Sequence, residues 1–307
     1  FLLPLRALVS DKHQQFVRTY GPFGLTTIRA TGDIDADLPV LMRGQYDICL
    51  MTYEKCAALV LGQPHLLDGV GTIVVDEVQM IADPERGAAL EFLLTLLRLR
   101  RRQGIEPQIV ALSAVIGDTN GLERWLDARL LCRTARPVPL DEGVLRGDGS
   151  FRYLTPAGEE QIAACVTPRW GEGKSRDWLI PLAQKLVGEG KQVIVFRTSK
   201  SETVWCARYL AEALGLPPAG VALAALPTSD PSAASVTLQT TLAGGVAFHN
   251  RDLDRDERRV VEEQFRAPDT SLRVVVATTT LAMGVNTPAE AVVIVGLEHA
   301  GPGTQQY

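Results

Sequence analysis

Short apolar runs alternate with longer amphipathic segments along the chain. Between the fourth and fifth runs lies GAALEFLLTLLRLRRR, whose leucines recur at helical spacing. Strands that alternate with helices predict a parallel α/β sheet with right-handed crossovers. The five runs of the first half are FLLPL, TTIRA, DICLMT, TIVVDE and QIVALSA.

A second series of the same kind begins at about Arg176. The segment Leu216–Gly245, rich in Pro, Ala, Ser and Thr, interrupts the series and is expected to be a surface excursion. The two halves therefore look like two copies of one α/β architecture. The predicted helices are RDWLIPLAQKLVGEG, SETVWCARYLAEALG and RDERRVVEEQFRA, and the predicted strands are QVIVFRTS, GVAFHN, RVVVATTT and AVVIVG.

The pattern changes between the two series. From Arg136 to about Arg176 the chain carries prolines, glycines and charges with weak periodicity, which is typical of a linker. We expect a hairpin within it, around RYLTPAGEEQ. The predicted organisation is a first domain over residues 1–136, a linker over 137–175 and a second domain over 176–307.

Composition and charge narrow the class of protein. A chain of 307 residues with 46% apolar and 22% charged residues has room for two globular domains. The net charge of −5 gives no overall electrostatic footprint for nucleic acid, although it does not exclude a local basic groove. The basic run RLRRRQG (Arg98–Gly104) is better explained as the end of a helix, where cations suit the dipole.

The cysteine spacing and the lengths of the apolar runs bear on the cellular compartment. The five cysteines are scattered without a C-x-x-C pair, which argues against a zinc site or disulfide framework and for a reducing compartment. No apolar run approaches membrane-spanning length. We therefore expect a cytoplasmic protein with no membrane partner, and a monomer.

Two adjacent carboxylates end one buried strand. The β-branched run Thr72–Val75 leads directly into Asp76 and Glu77. Because burying unpaired carboxylates is costly, they should stand at the exposed carboxyl end of the strand, where α/β sheets bind ligands. A hard cation with phosphate oxygens would use both charges. The alternative is an Asx-type turn in which the carboxylates cap the next helix.

The order of several short motifs resembles that of superfamily 2 helicases, and most closely the Ski2-like branch that includes the Hel308-type DNA helicases. One tetrapeptide would be weak support, but the ordered series spans nearly the whole chain. The motifs are PLRALVSDKHQQF (Pro4–Phe16), ATGD (Ala30–Asp33), TYEK (Thr52–Lys55), DEVQ (Asp76–Gln79), LSAVIGD (Leu112–Asp118), VFRTSK (Val195–Lys200), GVAFHN (Gly245–Asn250) and ATTTLAMGVNTPA (Ala277–Ala289).

The resemblance implies two RecA-like parallel-sheet domains in tandem and an ATP-dependent helicase or translocase that uses ATP and Mg²⁺. In this family the Asp76–Glu77 pair would form the metal site, with Asp76 holding Mg²⁺. Glu77 would orient and deprotonate the attacking water. Gln79, which stands where many relatives have His, would relay the state of the γ-phosphate to neighbouring motifs.

The resemblance also implies contacts to nucleic acid, a role in coupling and contacts to nucleotide. The expected partner is single-stranded or partly duplex nucleic acid, with DNA favoured over RNA. For any one of these residues a structural cap or turn is an equal alternative. The nucleic-acid residues are Arg6, Gly32, Thr52, Lys55, Thr278 and Thr280; the coupling residues are Ser113 and Ala114, next to Val115 where the family usually has Thr; the nucleotide residues are Gly284 and Asn286.

Two family motifs are expected outside the printed sequence. The phosphate-binding loop belongs upstream of Phe1, so the first domain would lack its N-terminal strand, loop and helix. The arginine-bearing closing motif belongs beyond Tyr307. We therefore expect the chain as given to be inactive, with half of the chemistry.

The segment WGEGKSRDW (Trp170–Trp178) imitates the phosphate loop, but Pro168 stands where the template needs Gly. It is interpreted as the solvated entry of a helix. Three alternatives remain open at this point. They are an RNA helicase of the Ski2 type, a non-catalytic nucleic-acid-binding module, and a small phosphotransferase that uses GEGKS.

Overall fold

The chain folds as two compact units, residues 1–134 and 135–307. The computed structural model describes residues 1–32, 36–84, 86–101, 107–114, 118–133, 138, 140–155, 158–171, 173–228, 231–268, 270–278, 281 and 288–296. Each unit is built around its own parallel sheet.

The first unit contains a parallel sheet in the order β2-β3-β1-β4-β5. From β1 the chain moves to β2 and β3 on one side, then crosses to β4 and β5 on the other. The strand order therefore reverses between β1 and β4, and such a reversal is where α/β sheets place their ligand crevice. Its strands are β1 (Leu2–Leu3), β2 (Thr27–Ala30), β3 (Ile48–Thr52), β4 (Thr72–Val75) and β5 (Gln108–Ala111); its helices are α1 (Arg6–Tyr20), α2 (Leu38–Met42), α3 (Tyr53–Gly62), α4 (Gly87–Arg101) and α5 (Leu122–Leu126).

Helix α4 supplies most of the core on one face of this sheet. Leu90, Leu93, Leu94 and Leu97 recur at intervals of three and four residues and are all almost fully buried. Each buried leucine contributes about 2 kcal/mol of transfer free energy. The helix extends to Arg101, so the described part of the basic run lies in the last turn of a helix, as predicted, and residues 102–104 lie outside the described residues.

The second unit contains two sheets. Strands β6 (Gly143–Leu145), β7 (Ser150–Leu154) and β8 (Glu160–Ala164) form an antiparallel sheet in sequence order, and β7–β8 is the predicted hairpin. The second sheet is parallel, in the order β10-β11-β9-β12. Its strands are β9 (Val193–Phe196), β10 (Val246–His249), β11 (Val274–Ala277) and β12 (Ala291–Ile294); the helices of the unit are α6 (Arg176–Gly188), α7 (Lys200–Leu214), α8 (Gly220–Ala225), α9 (Ala233–Leu242) and α10 (Arg255–Arg266).

The two parallel sheets share one topology. In the second sheet β9 takes the place of β1, with β10 and β11 on one side and β12 on the other, as β2, β3 and β4 lie around β1. This arrangement confirms the prediction of tandem RecA-like parallel-sheet architecture.

The prediction for Leu216–Gly245 was wrong. The segment forms α8 and α9, and Ala222, Leu238 and Leu242 lie in the core of the second unit. Its small residues give weak periodicity, yet they allow close packing: a Cβ at Gly244 would lie 2.8 Å from the Cβ of Ala211. Composition alone therefore resembled a surface loop.

All cysteines are free thiols, and Cys49, Cys56 and Cys206 are buried. Within the ranges that the structure describes, no helix combines the length and the apolar character needed to cross a membrane.

Candidate functional site at the carboxyl edge of the first sheet

The candidate residues of the first unit all leave the sheet at one edge. Because its strands are parallel, their carboxyl ends face the same side. Along that edge the strand order separates two groups. The proposed nucleic-acid contacts follow β2, β3 and β1, and the acid pair and coupling residues follow β4 and β5; in spatial order the residues are Gly32, Thr52 and Lys55, Arg6, Asp76 to Gln79, and Ser113 with Ala114.

The acid pair stands at a sharp turn after β4. The amide of Asp76 donates to the Leu2 carbonyl at 3.0 Å, which extends the pairing of β4 with β1 by one residue. The Glu77 amide then donates to Asp76 Oδ1 at 3.1 Å. Glu77 has φ 54°, the left-handed region, which costs a non-glycine residue on the order of 1–3 kcal/mol. Residues with a strained backbone of this kind often cluster at functional sites.

The carboxylates of this pair do not cap the next helix. Glu77 precedes a 3-10 helix, Val78–Ala82, and makes no side-chain capping hydrogen bond. At the start of α4 the carboxylate of Asp83 accepts from the Arg86 amide at 2.8 Å. The capping alternative for Asp76 and Glu77 is therefore not supported.

Gln79 touches the carboxylate of Glu77 directly. Its Nε2 donates to Glu77 Oε2 in a short hydrogen bond. Its Oε1 is buried and has no hydrogen-bond partner among the described residues. Such an oxygen is free to accept a bond from another group, as the relay role requires.

A divalent cation fits the pair as part of a larger ligand set. Both carboxylates are half-buried, and oxygen ligands suit Mg²⁺. Across the described residues no cluster of three or more His, Cys, Asp or Glu could hold a metal ion. Mg²⁺ commonly takes one or two carboxylates and completes its shell with phosphate oxygens and water.

Ser113 and Ala114 run beside the acid pair. The Leu112 amide donates to the Val75 carbonyl at 2.8 Å, and the Val78 amide donates to the Leu112 carbonyl at 2.9 Å. The two coupling candidates follow directly and are exposed. Any movement of the turn after β4 therefore reaches them through the backbone. Val115 lies outside the described residues.

The other group of candidates shows two kinds of contact. A Cβ on Gly32 would lie 3.0 Å from Arg6 Nη2, so the guanidinium packs against that backbone. Thr52 Oγ1 accepts from the Lys55 amide at 3.3 Å, and Thr52 is 6% exposed. Thr52 therefore caps α3, which supports its structural alternative, whereas the half-buried Lys55 presents a cation at the same helix start.

Two residues at this edge had no predicted role. The Tyr53 hydroxyl donates to the Asp76 carbonyl in a short hydrogen bond. Arg86 Nη1 donates to the Pro4 carbonyl at 2.7 Å, and its Nη2 lies 3.8 Å from Glu54 Oε1. The sequence could have indicated Tyr53, which lies inside the TYEK motif. Arg86, ten residues after Asp76, lies in none of the motifs.

The second unit presents one described candidate at the corresponding edge. Thr278 follows β11, and its amide donates to the His249 carbonyl at 3.3 Å. His249 Nε2 lies 2.8 Å from Glu262 Oε1. The other candidates of that unit, Thr280, Gly284 and Asn286, lie outside the described residues.

A side chain at the start of α6 binds a backbone amide of the GEGKS segment. Asp177 is 2% exposed, and its Oδ2 accepts from the Lys174 amide at 3.3 Å at the start of α6. A carboxylate therefore occupies the helix terminus where a phosphate would need positive charge. The segment is a helix entry, as predicted: Gly171, Gly173 and Lys174 are exposed, and Asp177, just inside the helix, is buried.

Comparison with known proteins identifies similar proteins. The DEAD/DEAH box helicase family matches residues 1–121. The chain is 36% identical to the ATP-dependent DNA helicase Hel308 of Pyrobaculum calidifontis, over 98% of the chain and 40% of that protein. It is also 36% identical to the Hel308 of Caldivirga maquilingensis, over 98% of the chain and 38% of that protein.

The chain belongs to the DEAD/DEAH-box helicases of superfamily 2. Within them it belongs to the Ski2-like branch and is of the Hel308 type. It spans about two-fifths of the length of the curated relatives it matches.

Proposed function

We propose that the protein carrying this chain is an ATP-dependent DNA helicase or translocase that couples ATP hydrolysis to movement along a single strand. The arrangement of candidates along one sheet edge carries the proposal. Carboxylates suited to phosphate chemistry follow β4, and residues suited to backbone contacts follow β2, β3 and β1. The names of the relatives, ATP-dependent DNA helicases, support the same function and favour DNA over RNA.

The acid pair would carry the chemistry. Asp76, with Glu77 beside it, would hold Mg²⁺, which when bound neutralises negative charge on the nucleotide phosphates. Glu77 would orient the attacking water and accept its proton. Gln79 holds Glu77 Oε2 through its amide nitrogen and so restrains that carboxylate until another group engages its buried Oε1.

Nucleic acid would lie along the other half of the edge. Such contacts go to phosphates from amides, hydroxyls and a few cations, so a net charge of −5 is no obstacle. Ser113 and Ala114 would couple the two halves. In the first unit the nucleic-acid contacts would come from Arg6, Gly32, Thr52 and Lys55. In the second unit Thr278 and Thr280 would contact nucleic acid, and Gly284 and Asn286 would contact the nucleotide.

The decisive experiment compares Glu77→Gln with wild type in the complete gene product that contains this chain. General-base loss typically lowers rates by about a hundredfold or more, so DNA-dependent ATP turnover should fall by at least that factor. Nucleotide affinity should stay near wild type, because the carboxylate acts on water and not on the base or sugar. Turnover is measured by phosphate release, and affinity by titration with a fluorescent nucleotide.

The matched control is Glu263→Gln, the same change at an exposed position of α10 in the second unit. It should leave turnover unchanged. Near-normal turnover in Glu77→Gln would remove Glu77 from the catalytic role. A wild-type protein without DNA-dependent turnover would refute the helicase proposal, and stronger stimulation by a single-stranded RNA of equal length would redirect it to RNA.

A further inference from the structure

Two side chains connect the two halves of the carboxyl edge. The halves meet where the strand order reverses, between β1 and β4. Tyr53 belongs by sequence to the nucleic-acid half, and its hydroxyl binds the acid pair. Arg86 belongs by sequence to the segment after the acid pair, and its guanidinium binds the nucleic-acid half.

Tyr53 reaches across one whole strand. It is the first residue of α3, directly after β3, and its side chain is 1% exposed. Because β1 lies between β3 and β4, the hydroxyl spans two strand spacings of about 4.8 Å each to meet the Asp76 carbonyl. Burial raises the pKa of Tyr53, and the nearby carboxylates of Asp76, Glu77 and Glu54 raise it further. The phenol therefore stays a neutral donor throughout the physiological range.

Arg86 makes the return connection. Its guanidinium, at the start of α4, binds the Pro4 carbonyl, two residues before Arg6. It also contacts the Glu54 carboxylate, which is next to Lys55. The segment between Glu77 and α4 is compact: a Cβ on Gly87 would lie 2.2 Å from the Ile81 carbonyl oxygen, so only glycine fits there. Arg86 therefore lies next to the close contact that joins the start of α4 to the 3-10 helix after Glu77.

The acid pair is sensitive to small displacements. Glu77 is held at φ 54°, and its amide bonds the side chain of Asp76. Tyr53 holds the carbonyl of the peptide that joins these two residues. A shift of that peptide changes the backbone angle of Glu77 and hence where its carboxylate points.

We propose that Tyr53 and Arg86 are positioning residues that transmit nucleic-acid binding at α1 and α3 to the Asp76–Glu77 pair. A strand bound at Arg6 and Lys55 moves the starts of these two helices. Tyr53 and Arg86 carry that movement to the turn after β4, and in the strand-bound state Glu77 is aligned only when both contacts are kept. The inference rests on the proposed function.

The main test is Tyr53→Phe in the complete gene product, since it removes one hydroxyl and keeps the buried ring. Couplings between sites are typically worth about fivefold or more, so the ratio of DNA-stimulated to unstimulated ATP turnover should fall by at least that factor. DNA affinity and unstimulated turnover should stay near wild type. The matched control is Tyr46→Phe, a half-buried tyrosine of the same core, which should keep the wild-type ratio.

Arg86→Lys is the second variant, because it keeps the charge and loses the two-pronged contact. It should also lower the stimulation ratio. An independent readout is amide hydrogen exchange over residues 72–80: added single-stranded DNA should slow exchange in wild type and in Tyr46→Phe, and have less effect in Tyr53→Phe and Arg86→Lys.

The outcomes separate the two proposals. Wild-type stimulation with an unchanged ratio and an unchanged exchange response in both variants would overturn the inference and leave the helicase proposal intact. An equal fall of stimulated and unstimulated turnover would also overturn it, because that result describes damage to the site. A wild-type protein without DNA-stimulated turnover would refute the proposed function and the inference with it.

Discussion

The two parallel sheets share a strand order and differ in how deeply they are buried. In the second sheet, β10 and β11 are buried at every position, as are the first three residues of β9, whereas no residue of the edge strand β12 is buried. In the first, β4 is exposed at Thr72 and half-buried at Val74, and no residue of β5 is buried. The candidate catalytic residues follow β4, and the coupling candidates Ser113 and Ala114 follow β5.

The hydrophobic cores of the two units also differ. One large cluster fills the core of the second unit. The core of the first is split: among the described residues a large buried cluster lies beside α4, and the cluster beside α1 has Leu3, Val9 and Leu50 as its buried members. Elements that move during binding come from the less stable end of a structure. We therefore expect the first unit to open more readily.

The largest expected effect comes from cavity-forming substitutions, one in each unit. Leu94→Ala on α4 and Leu210→Ala on α7 each remove a fully buried side chain and should cost about 3 kcal/mol of unfolding free energy. In calorimetry, Leu94→Ala should lower an earlier transition that belongs to the first unit, and Leu210→Ala a later one. Leu99→Ala, at a half-exposed position of α4, is the control and should change stability by less than about 0.5 kcal/mol. A single transition moved equally by both variants would contradict the comparison.

A smaller effect is expected in local opening. Amides of β4 and β5 should exchange at least about tenfold faster than those of β9 and β11, because fewer buried contacts hold them. Two buried thiols test this chemically. Burial raises the pKa of Cys56 to about 12 and that of Cys206 to about 11. Both are protonated and unreactive at pH 8 until the surrounding structure opens.

We therefore expect iodoacetamide to modify Cys56 of the first unit faster than Cys206 of the second, although the lower pKa of Cys206 acts in the opposite direction. The exposed Cys132 should react first and serves as the internal standard. Labelling followed by peptide mass spectrometry gives each rate. Equal rates, or a faster Cys206, would remove the difference between the units.

The smallest effect concerns helix caps. Asp254 Oδ1 accepts from the Glu257 amide at 2.7 Å in a capping box at α10, and Thr52 caps α3. Replacing either by Ala should cost about 1 kcal/mol. Asp254→Ala should lower the later thermal transition and Thr52→Ala the earlier one, while Asp254→Asn, which keeps an acceptor, should recover most of the loss. A cap variant that moves the transition of the other unit would argue against separate stabilities.

Much of the fold was predictable because its strands are short, rich in β-branched residues and separated by clear helical or turn-forming segments. β1 is an instructive exception: FLLPL predicts five residues, and the strand ends at Leu3, before proline removes a ladder donor. α9 was missed because Ala, Ser and Thr give little periodicity, although Leu238 and Leu242, four residues apart, mark its buried face.

The site was predictable only as a set of motifs. The order of the motifs indicated Asp76 and Glu77, since a carboxylate pair after a buried strand has few uses. The reach of Tyr53 over β1 could not be inferred, because a hydrogen bond across two strand spacings depends on strand order and not on neighbours in sequence. The capping role of Thr52 was an open alternative, and only its bond to the Lys55 amide supported it.

The carboxylate of Asp177 also bears on how the repeated architecture is used. The second copy begins a helix after a glycine-containing loop, as a nucleotide-binding copy would, yet an internal anion already occupies that terminus. The Lys174 amide that a phosphate would use is already bonded to this carboxylate. The repeat is thus symmetric in topology and asymmetric in chemistry. A mutation that removed Asp177 would be the natural starting point for asking whether the second copy can acquire a nucleotide.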